Sequence, residues 1–190
     1  MQRLYLVRHG PTHAKTMVGW TDLPADLGDT AALHRLEKAL PNAPVLSSDL
    51  CRAVQTANAV QGNRNRLQHE PALREIHFGA WEGLTHVQAE ARDPELIFQF
   101  WDQPGAVRAP GGESWHQLAD RVNQTVDRLN KDLPPGPVIA VAHFGVILTQ
   151  VQRALGISAY AAFSHRIENL SLTQLRMGRA PDAIRINHIS

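Results

Sequence analysis

The stretch LYLVRHG, residues 4–10, decides the fold, because a short apolar run ends abruptly on a cation, an imidazole and a glycine. Consecutive apolar residues bounded by polar and turn residues are typical of a buried central strand. Open α/β sheets bind their ligands at the edge where the parallel strands end. The pattern therefore places a candidate nucleophile, His9, at such an edge, and Arg8 beside it indicates an anionic ligand.

Short runs rich in branched residues alternate along the chain with segments of helical periodicity. The strongest predicted strands are Leu4–Val7, Pro44–Ser47 and Val138–Ala142. Weaker strands, with alternating apolar and polar residues, are predicted at Ser171–Arg176 and Ala183–His188. The predicted helices are Ala31–Leu40, Leu50–Val60, Thr85–Trp101, Ser114–Leu133 and Val146–Leu155. Asp93-Pro94 is expected to break or kink the third of these, because proline disrupts a helix interior.

This alternation predicts an α/β fold, a three-layer α/β/α sandwich with a mostly parallel central sheet and one late antiparallel strand. A chain of 190 residues fits one domain, spanning 1–190. The segment 85–112 interrupts the alternation of strands and helices and ends in a Gly/Pro-rich stretch. We expect it to form a small cap over the edge of the sheet.

The composition excludes several classes of protein. Lys+Arg 19 against Asp+Glu 18 gives a formal charge of +1, which predicts neither a nucleic-acid nor a membrane partner. The single Cys51 excludes an intramolecular disulfide, and the 10 His show no spacing typical of a metal site. We therefore expect no metal and no cofactor. The N-terminal sequence shows no signal-like segment, so a cytoplasmic location is expected.

Polar groups suited to an anion follow each of the three strong strands. Arg8, His9 and Thr12 follow the first, Arg52 follows the second, and His143 follows the third. The second and third sets lead directly into helices, whose N-termini bind anions through free N–H groups. Arginine matches phosphate oxygens with two parallel hydrogen bonds. The set is suited to hold a phosphoryl group without a metal ion.

Five motifs in order resemble the histidine phosphatase superfamily, the family of cofactor-dependent phosphoglycerate mutase, over residues 4 to about 150. They are LVRHGPT at 6–12, SSDLCRAVQTA at 47–57, LREIHFGAWEG at 73–83, GES at 112–114 and VAH at 141–143. The third and fourth motifs look most like the small bacterial phosphatase branch, which includes α-ribazole phosphatase. The resemblance implies the phosphoglycerate mutase-like fold.

The resemblance implies a role for each matching residue. His9 would be the nucleophile that becomes phosphohistidine, and Glu75 the general acid that protonates the leaving oxygen. Such a nucleophile needs a neutral attacking nitrogen, with the other ring N–H held by an acceptor such as a backbone carbonyl. Arg8, Arg52 and a protonated His143 would line the phosphate pocket and offset its charge. Further phosphate- or substrate-binding groups are expected at Thr12, Gly10, Thr21 and the backbone N–H of Phe144.

The chain departs from the family pattern at three positions. Pro11 stands where many relatives have glutamate or glutamine. Phe144 replaces a small glycine and is expected to narrow the pocket or to select an apolar leaving group. Asp49 replaces a common proline and either disfavours highly anionic substrates or caps the following helix. Two other carboxylates near Glu75 in the sequence, Glu82 and Glu70, stay open as alternatives for the acid.

The expected function is metal-independent hydrolysis of phosphomonoesters through phosphohistidine, with α-ribazole phosphate as one candidate substrate. Its ligands would be a small phosphorylated metabolite and inorganic phosphate. Three alternatives stay open: phosphoglycerate mutase-type phosphoryl transfer, a non-catalytic module that binds phosphorylated ligands, and a metallohydrolase. The segment 76–142, between the proposed acid and the second histidine, is shorter than in true mutases and favours the phosphatase. A homodimer also stays open, since dimers occur among relatives.

Overall fold

The computed structural model describes residues 3–178 and 182–189, so both termini of the predicted domain lie outside the described residues. Its strands are β1 (Arg3–Arg8), β2 (Val45–Ser47), β3 (Pro137–Ala142), β4 (Leu172–Arg176) and β5 (Asp182–His188). They form one sheet in the order β2-β3-β1-β4-β5. Strands β1 and β2 run parallel to β3, β4 runs antiparallel to β1, and β5 runs antiparallel to β4. Four of these strands therefore share one direction, which confirms the predicted sheet with one late antiparallel strand.

The helices follow the predicted segments closely. They are α1 (Thr30–Ala39), α2 (Cys51–Val60), α3 (His86–Arg92), α4 (Pro94–Asp102), α5 (Trp115–Asp132), α6 (Phe144–Leu155) and α7 (Ala159–Ala162). The predicted break is confirmed, because Asp93 ends α3 and Pro94 begins α4, a position where proline loses no helical hydrogen bond. Short 3₁₀ turns at Pro71–Leu73 and Gly79–Trp81, and the four-residue α7, were not predicted.

Each face of the sheet buries its own apolar cluster. Leu4 and Leu6 pack with residues of α5 and α6 on one face. Val7, Ile139 and Val141 pack with residues of α1 and α2 on the other. Because successive side chains of a strand point to opposite faces, this division gives the three-layer sandwich. No helix in the described ranges is long and apolar enough to cross a membrane.

The loops that follow the three parallel strands are joined at one edge of the sheet. The N–H of His9 donates to the carbonyl of Ala142 (3.0 Å), and that of Ser48 donates to the carbonyl of Val141 (3.0 Å). A fourth loop joins them from before β4, where the N–H of Leu170 donates to the carbonyl of Arg8 (3.0 Å). These backbone bonds bring the ends of β1, β2 and β3 together, as the sequence predicts.

Candidate active site

His9 is a buried imidazole whose tautomer is fixed by its neighbour. Its Nδ1 lies 2.6 Å from the carbonyl oxygen of Gly10. A carbonyl only accepts hydrogen bonds, so Nδ1 carries the proton and Nε2 holds a lone pair. The Nε–H of Arg52 donates to that Nε2 over 3.2 Å. Burial, and next the charge of Arg52, lower the pKa of His9 to about 3, so the ring is neutral at neutral pH.

Arg52 is almost fully buried and all three of its nitrogens are engaged. Beside its bond to His9, Nη1 donates to the carbonyl of Thr21 (2.9 Å) and Nη2 to that of Gly19 (2.6 Å). The loop 19–21 therefore fixes the guanidinium against the imidazole. The hydroxyl of Thr21, which the sequence analysis expects to bind substrate, donates to Glu82 (2.6 Å). Thr21 positions Arg52 through its carbonyl.

Glu82 fixes the loop 19–21 in place through hydrogen bonds to its backbone. Its carboxylate accepts hydrogen bonds from the backbone N–H groups of Gly19 (3.1 Å), Trp20 (2.7 Å), Thr21 (3.2 Å) and Phe78 (3.1 Å). Although burial opposes the effect, the bond from the Thr21 hydroxyl and these N–H groups lower its pKa. A side chain on Gly19 would meet Glu82 at 2.5 Å, so this close approach requires glycine. Glu82 is also absent from the lining of the cavity that contains His9, which argues against it as the acid.

Glu75 is the carboxyl group that lies in the same cavity as His9. It is 8% exposed, and both of its oxygens lie 3.1 Å from the backbone N–H of Gly145, near the start of α6. A Cβ at Gly145 would lie 2.5 Å from Glu75 Oε1, so glycine is needed there. The other alternative, Glu70, forms an ion pair with Arg128 and caps a 3₁₀ turn. The geometry therefore favours Glu75 as the proton donor.

Arg121 holds the backbone around Glu75, a role that the sequence analysis missed. Its guanidinium donates to the carbonyls of Ala72 (2.9 Å), Arg74 (2.9 Å) and Glu75 (3.3 Å), and it pairs with Glu113 (2.7 Å). The sequence does contain a signal for this role, because Arg121 lies three residues after Leu118 and thus next to the buried stripe of α5. A charged residue on such a stripe needs buried partners.

His143 is fully buried, and its ring centroid lies 5.1 Å from that of His9. Burial, and next the proximity of His9 and Arg52, lower its pKa well below the usual value. A protonated His143 is therefore unfavourable in the free pocket, because it would be a second buried cation beside Arg52, and its protonation beside a bound phosphoryl group stays a prediction. Neither ring nitrogen has a hydrogen-bond partner among the described residues. Such buried unsatisfied groups are rare and here face no protein acceptor.

Arg8 completes the cationic wall of the cavity. Its Nη1 donates to the carbonyl of Ile167 (2.5 Å), while its buried Nε has no partner in the described part of the chain. The cavity, which we call the phosphate cavity, has a volume of about 160 Å³. It is lined by Arg8, His9, Thr12, Ala14, Thr16, Val18, Arg52 and Glu75. Thr12 thus lies where the sequence places it.

Gly10 and Asp49 differ from the sequence-based expectations. The N–H of Gly10 donates to Thr56 Oγ1 (2.9 Å) and its carbonyl accepts from His9, so both backbone groups position the loop and neither is free to bind phosphate. Asp49 does not cap α2; it forms a two-bond ion pair with Arg74 (2.6 and 2.8 Å). The first turn of α2 is capped by Asp22, which accepts from the N–H of Cys51 (2.7 Å).

Phe144 begins α6 and lies beside Arg8, whose guanidinium carbon is 5.3 Å from the centre of its ring. It is half-buried and lines a second, apolar cavity together with Glu75. It is not among the residues that line the phosphate cavity, and its predicted effect, narrowing the pocket or selecting an apolar leaving group, stays a prediction. Its backbone N–H as a phosphate donor stays a prediction.

The arrangement combines a neutral imidazole, whose Nε2 lone pair accepts from Arg52, with two guanidinium groups and a carboxyl group around one cavity. Among residues 3–178 and 182–189, no group of three or more His, Cys, Asp or Glu is placed to hold a metal ion. Cationic donors and a preorganised nucleophile are the elements that phosphoryl transfer needs. The site is therefore suited to attack on the phosphorus of a bound phosphomonoester.

The network behind Arg52 predicts that Glu82→Gln weakens the binding of inorganic phosphate by about tenfold, as loss of a charge-assisted hydrogen bond would. An amide NH₂ cannot accept from the loop 19–21, so Arg52 loses its fixed position. Isothermal titration calorimetry measures the affinity. Glu70→Gln, which removes a structural carboxylate outside the cavity, serves as the control. Equal affinities in both variants would show that Glu82 does not position Arg52.

The lowered pKa values of His9 and His143 predict a pH-dependent stability. Unfolded histidine binds a proton below about pH 6.5, whereas the folded His9 ring does so only near pH 3. The free energy of unfolding therefore has its full value above pH 6.5. It falls as the pH decreases, by up to about 1.4 kcal/mol per pH unit for each buried ring. Urea unfolding between pH 7 and 5 measures the slope.

The slope should be shallower in His143→Asn and unchanged in His34→Asn, which replaces an exposed histidine on α1. The same slope in all three proteins would contradict the neutral state of the buried rings.

The chain is similar in sequence to proteins of a known family. The family model for the histidine phosphatase superfamily (branch 1) matches residues 4–187. The bifunctional protein Rv2228c of Mycobacterium tuberculosis is 31% identical over 185 residues, which cover 90% of this chain and 49% of that protein. The chain thus spans about half the length of the first curated relatives it matches.

Other relatives match over most of their length. The adenosylcobalamin/α-ribazole phosphatase of Salmonella typhimurium is 33% identical over 175 residues, covering 87% of this chain and 86% of that protein. The native structure of a mycobacterial glucosyl-3-phosphoglycerate phosphatase superimposes with a TM-score of 0.82 at 29% identity, covering 100% of both chains. Together with the family model, these matches show that the chain belongs to branch 1 of the histidine phosphatase superfamily.

Proposed function

We propose that the protein is a metal-independent phosphomonoester hydrolase that acts through a phosphohistidine at His9. One observation carries the proposal: the bond from Nδ1 to the Gly10 carbonyl leaves a lone pair on Nε2 in a cavity that also holds Arg52 and Glu75. Nucleophilic catalysis by imidazole requires this tautomer. The phosphatases among the relatives favour hydrolysis over mutase-type transfer.

The first step forms the bond between His9 Nε2 and phosphorus and breaks the bond between phosphorus and the ester oxygen. The leaving oxygen takes its proton from Glu75, which must enter the step as the carboxylic acid. The product alcohol departs and leaves phosphohistidine. In the second step Glu75, now a carboxylate, accepts a proton from water as that oxygen attacks phosphorus. The bond between phosphorus and nitrogen breaks, and inorganic phosphate and neutral His9 result.

Arg8, Arg52 and His143 stabilise the phosphoryl group during both steps. The Nε–H of Arg8 and the ring of His143 have no hydrogen-bond partner in the described part of the chain, which supports a role for both as donors to phosphate oxygens. A neutral imidazole still carries one N–H, so His143 can donate without being protonated beforehand. A bound dianion would also favour its protonated form, because it supplies the opposite charge that the free pocket lacks.

The proposal extends to ligands, cap and location. The ligands are small phosphorylated metabolites and inorganic phosphate, with no nucleic acid or membrane partner. The segment 85–112 acts as a cap within one domain. The position of Trp101 supports this, because this residue of α4 lines the same cavity as Glu75. All the groups that the mechanism needs come from one chain, so a homodimer is not required. A cytoplasmic location would keep the single Cys51 reduced.

Glu75→Gln tests the proton donor. In the presence of a chelator, we expect the unaltered chain to release phosphate from both para-nitrophenyl phosphate and glycerol 3-phosphate. The variant should lose about 10²–10⁴-fold in kcat/KM on glycerol 3-phosphate, because a poor leaving group needs protonation. It should lose far less on the activated aryl ester. Steady-state phosphate release measures both rates.

Glu95→Gln, an exposed carboxylate on α4, is the matched control and should keep both rates. Equal losses on the two esters in Glu75→Gln would assign the proton to another group. Activity that disappears with the chelator and returns with zinc or manganese would refute the metal-independent mechanism.

A further inference from the structure

A second cavity adjoins the phosphate cavity and shares Glu75 with it. We call it the aromatic slot. Its lining residues are Glu75, Ile76, Phe78, Phe100, Trp101, Pro104, Trp115, Phe144, Gly145 and Phe163. Five of these ten carry aromatic rings beyond Phe144, and Glu75 is the one carboxylate among them. A cavity that opens beside the proton donor is the place where the alcohol side of a phosphomonoester would lie.

The rings of the slot are held by mutual packing. Phe163 lies 4.7 Å from Trp115 and 6.2 Å from Trp101, between ring centroids, and Trp101 lies 5.0 Å from Phe100. These are distances at which edge and tilted aromatic pairs attract. The slot therefore keeps its shape without a ligand, which favours binding of a rigid, planar group.

Trp101 differs from the other tryptophans in its hydrogen bonding. The indole N–H groups of Trp20, Trp81 and Trp115 donate to protein oxygens at 2.7–2.8 Å. That of Trp101 is buried and has no partner in the described part of the chain. A buried tryptophan usually finds such a partner. Trp101 therefore offers its ring for contact and leaves its indole N–H able to donate to one acceptor atom of a bound group.

Phe144 connects the slot to the phosphate cavity. Its ring lines the slot and also lies 5.3 Å from the guanidinium carbon of Arg8. The backbone N–H of the next residue, Gly145, donates to Glu75 (3.1 Å). A phosphoryl group held by Arg8 would therefore direct its ester oxygen towards Glu75 and the group attached to that oxygen towards the slot.

We propose that the aromatic slot binds the leaving group, and that the preferred substrates are phosphomonoesters with a planar apolar ring close to the ester oxygen. This inference rests on the proposed phosphatase function. A polyol in the slot would lose hydrogen bonds to water and gain few from the protein, which is unfavourable. The slot has a volume of about 50 Å³. It therefore encloses the edge of one ring, since a cavity that holds a whole benzene molecule measures about 150 Å³.

The test compares two phosphonates with the same head group by calorimetry, so that no turnover is needed. We expect benzylphosphonate to bind about tenfold more tightly than 2,3-dihydroxypropylphosphonate, because burying a ring edge against aromatic faces favours the former. Trp101→Leu and Phe163→Leu should each reduce that ratio to about threefold or less. Phe98→Ala, which removes an exposed ring of the same helix as Trp101, should leave the ratio unchanged.

Equal affinities of the two phosphonates for the unaltered chain would overturn the proposal, as would a ratio that survives in both slot variants. The use of two slot variants guards against a substitution that merely disturbs folding. If the chain hydrolyses para-nitrophenyl phosphate but binds the two phosphonates equally, only the proposed binding of the leaving group in the slot is refuted. Preference for benzylphosphonate without hydrolysis would support the slot and refute the phosphatase mechanism.

Discussion

The hydrogen bond from His9 Nδ1 to the carbonyl of Gly10 is the interaction on which the rest of the site depends. In the opposite tautomer, a proton on Nε2 would face the Nε–H of Arg52, and two donors would point at each other. The bond is itself secured from outside, because Gly10 N–H donates to Thr56 and the carbonyl of His9 accepts from Asn169 (2.8 Å). The fold thus sets both the direction of the lone pair and the place of the cation beside it.

The same site carries groups that reduce the stability of the free protein. The two ring nitrogens of His143 and the Nε of Arg8 are buried without partners among the described residues. Each such group costs about 1–3 kcal/mol when left unsatisfied. Phosphate oxygens could accept from the Nε–H of Arg8 and from the single N–H of a neutral His143 ring, which would recover part of this cost on binding. Donors that are already in place need no rearrangement as negative charge moves during the reaction.

The sequence predicted the elements and the residues at strand ends well, because both follow from local patterns. The apolar runs defined β1, β2 and β3, and parallel strands bring His9, Arg52 and His143 to one edge by necessity. What failed depended on contacts distant in the chain. The loop 19–21 contacts Glu82 more than 60 residues away, so the part that Thr21 plays in positioning Arg52 was not predicted. The lowered pKa of His143 in the free pocket was not predicted, because it depends on burial beside His9 and Arg52, which are distant in the chain.

The most direct test of the account is intact-protein mass spectrometry after rapid mixing with para-nitrophenyl phosphate and a chelator, comparing the unaltered chain with His9→Ala. We expect a transient phosphoryl adduct in the unaltered chain, located on His9 by peptide mapping, and none in the variant. An adduct on another residue, or hydrolysis by His9→Ala at the unaltered rate, would contradict nucleophilic attack by His9.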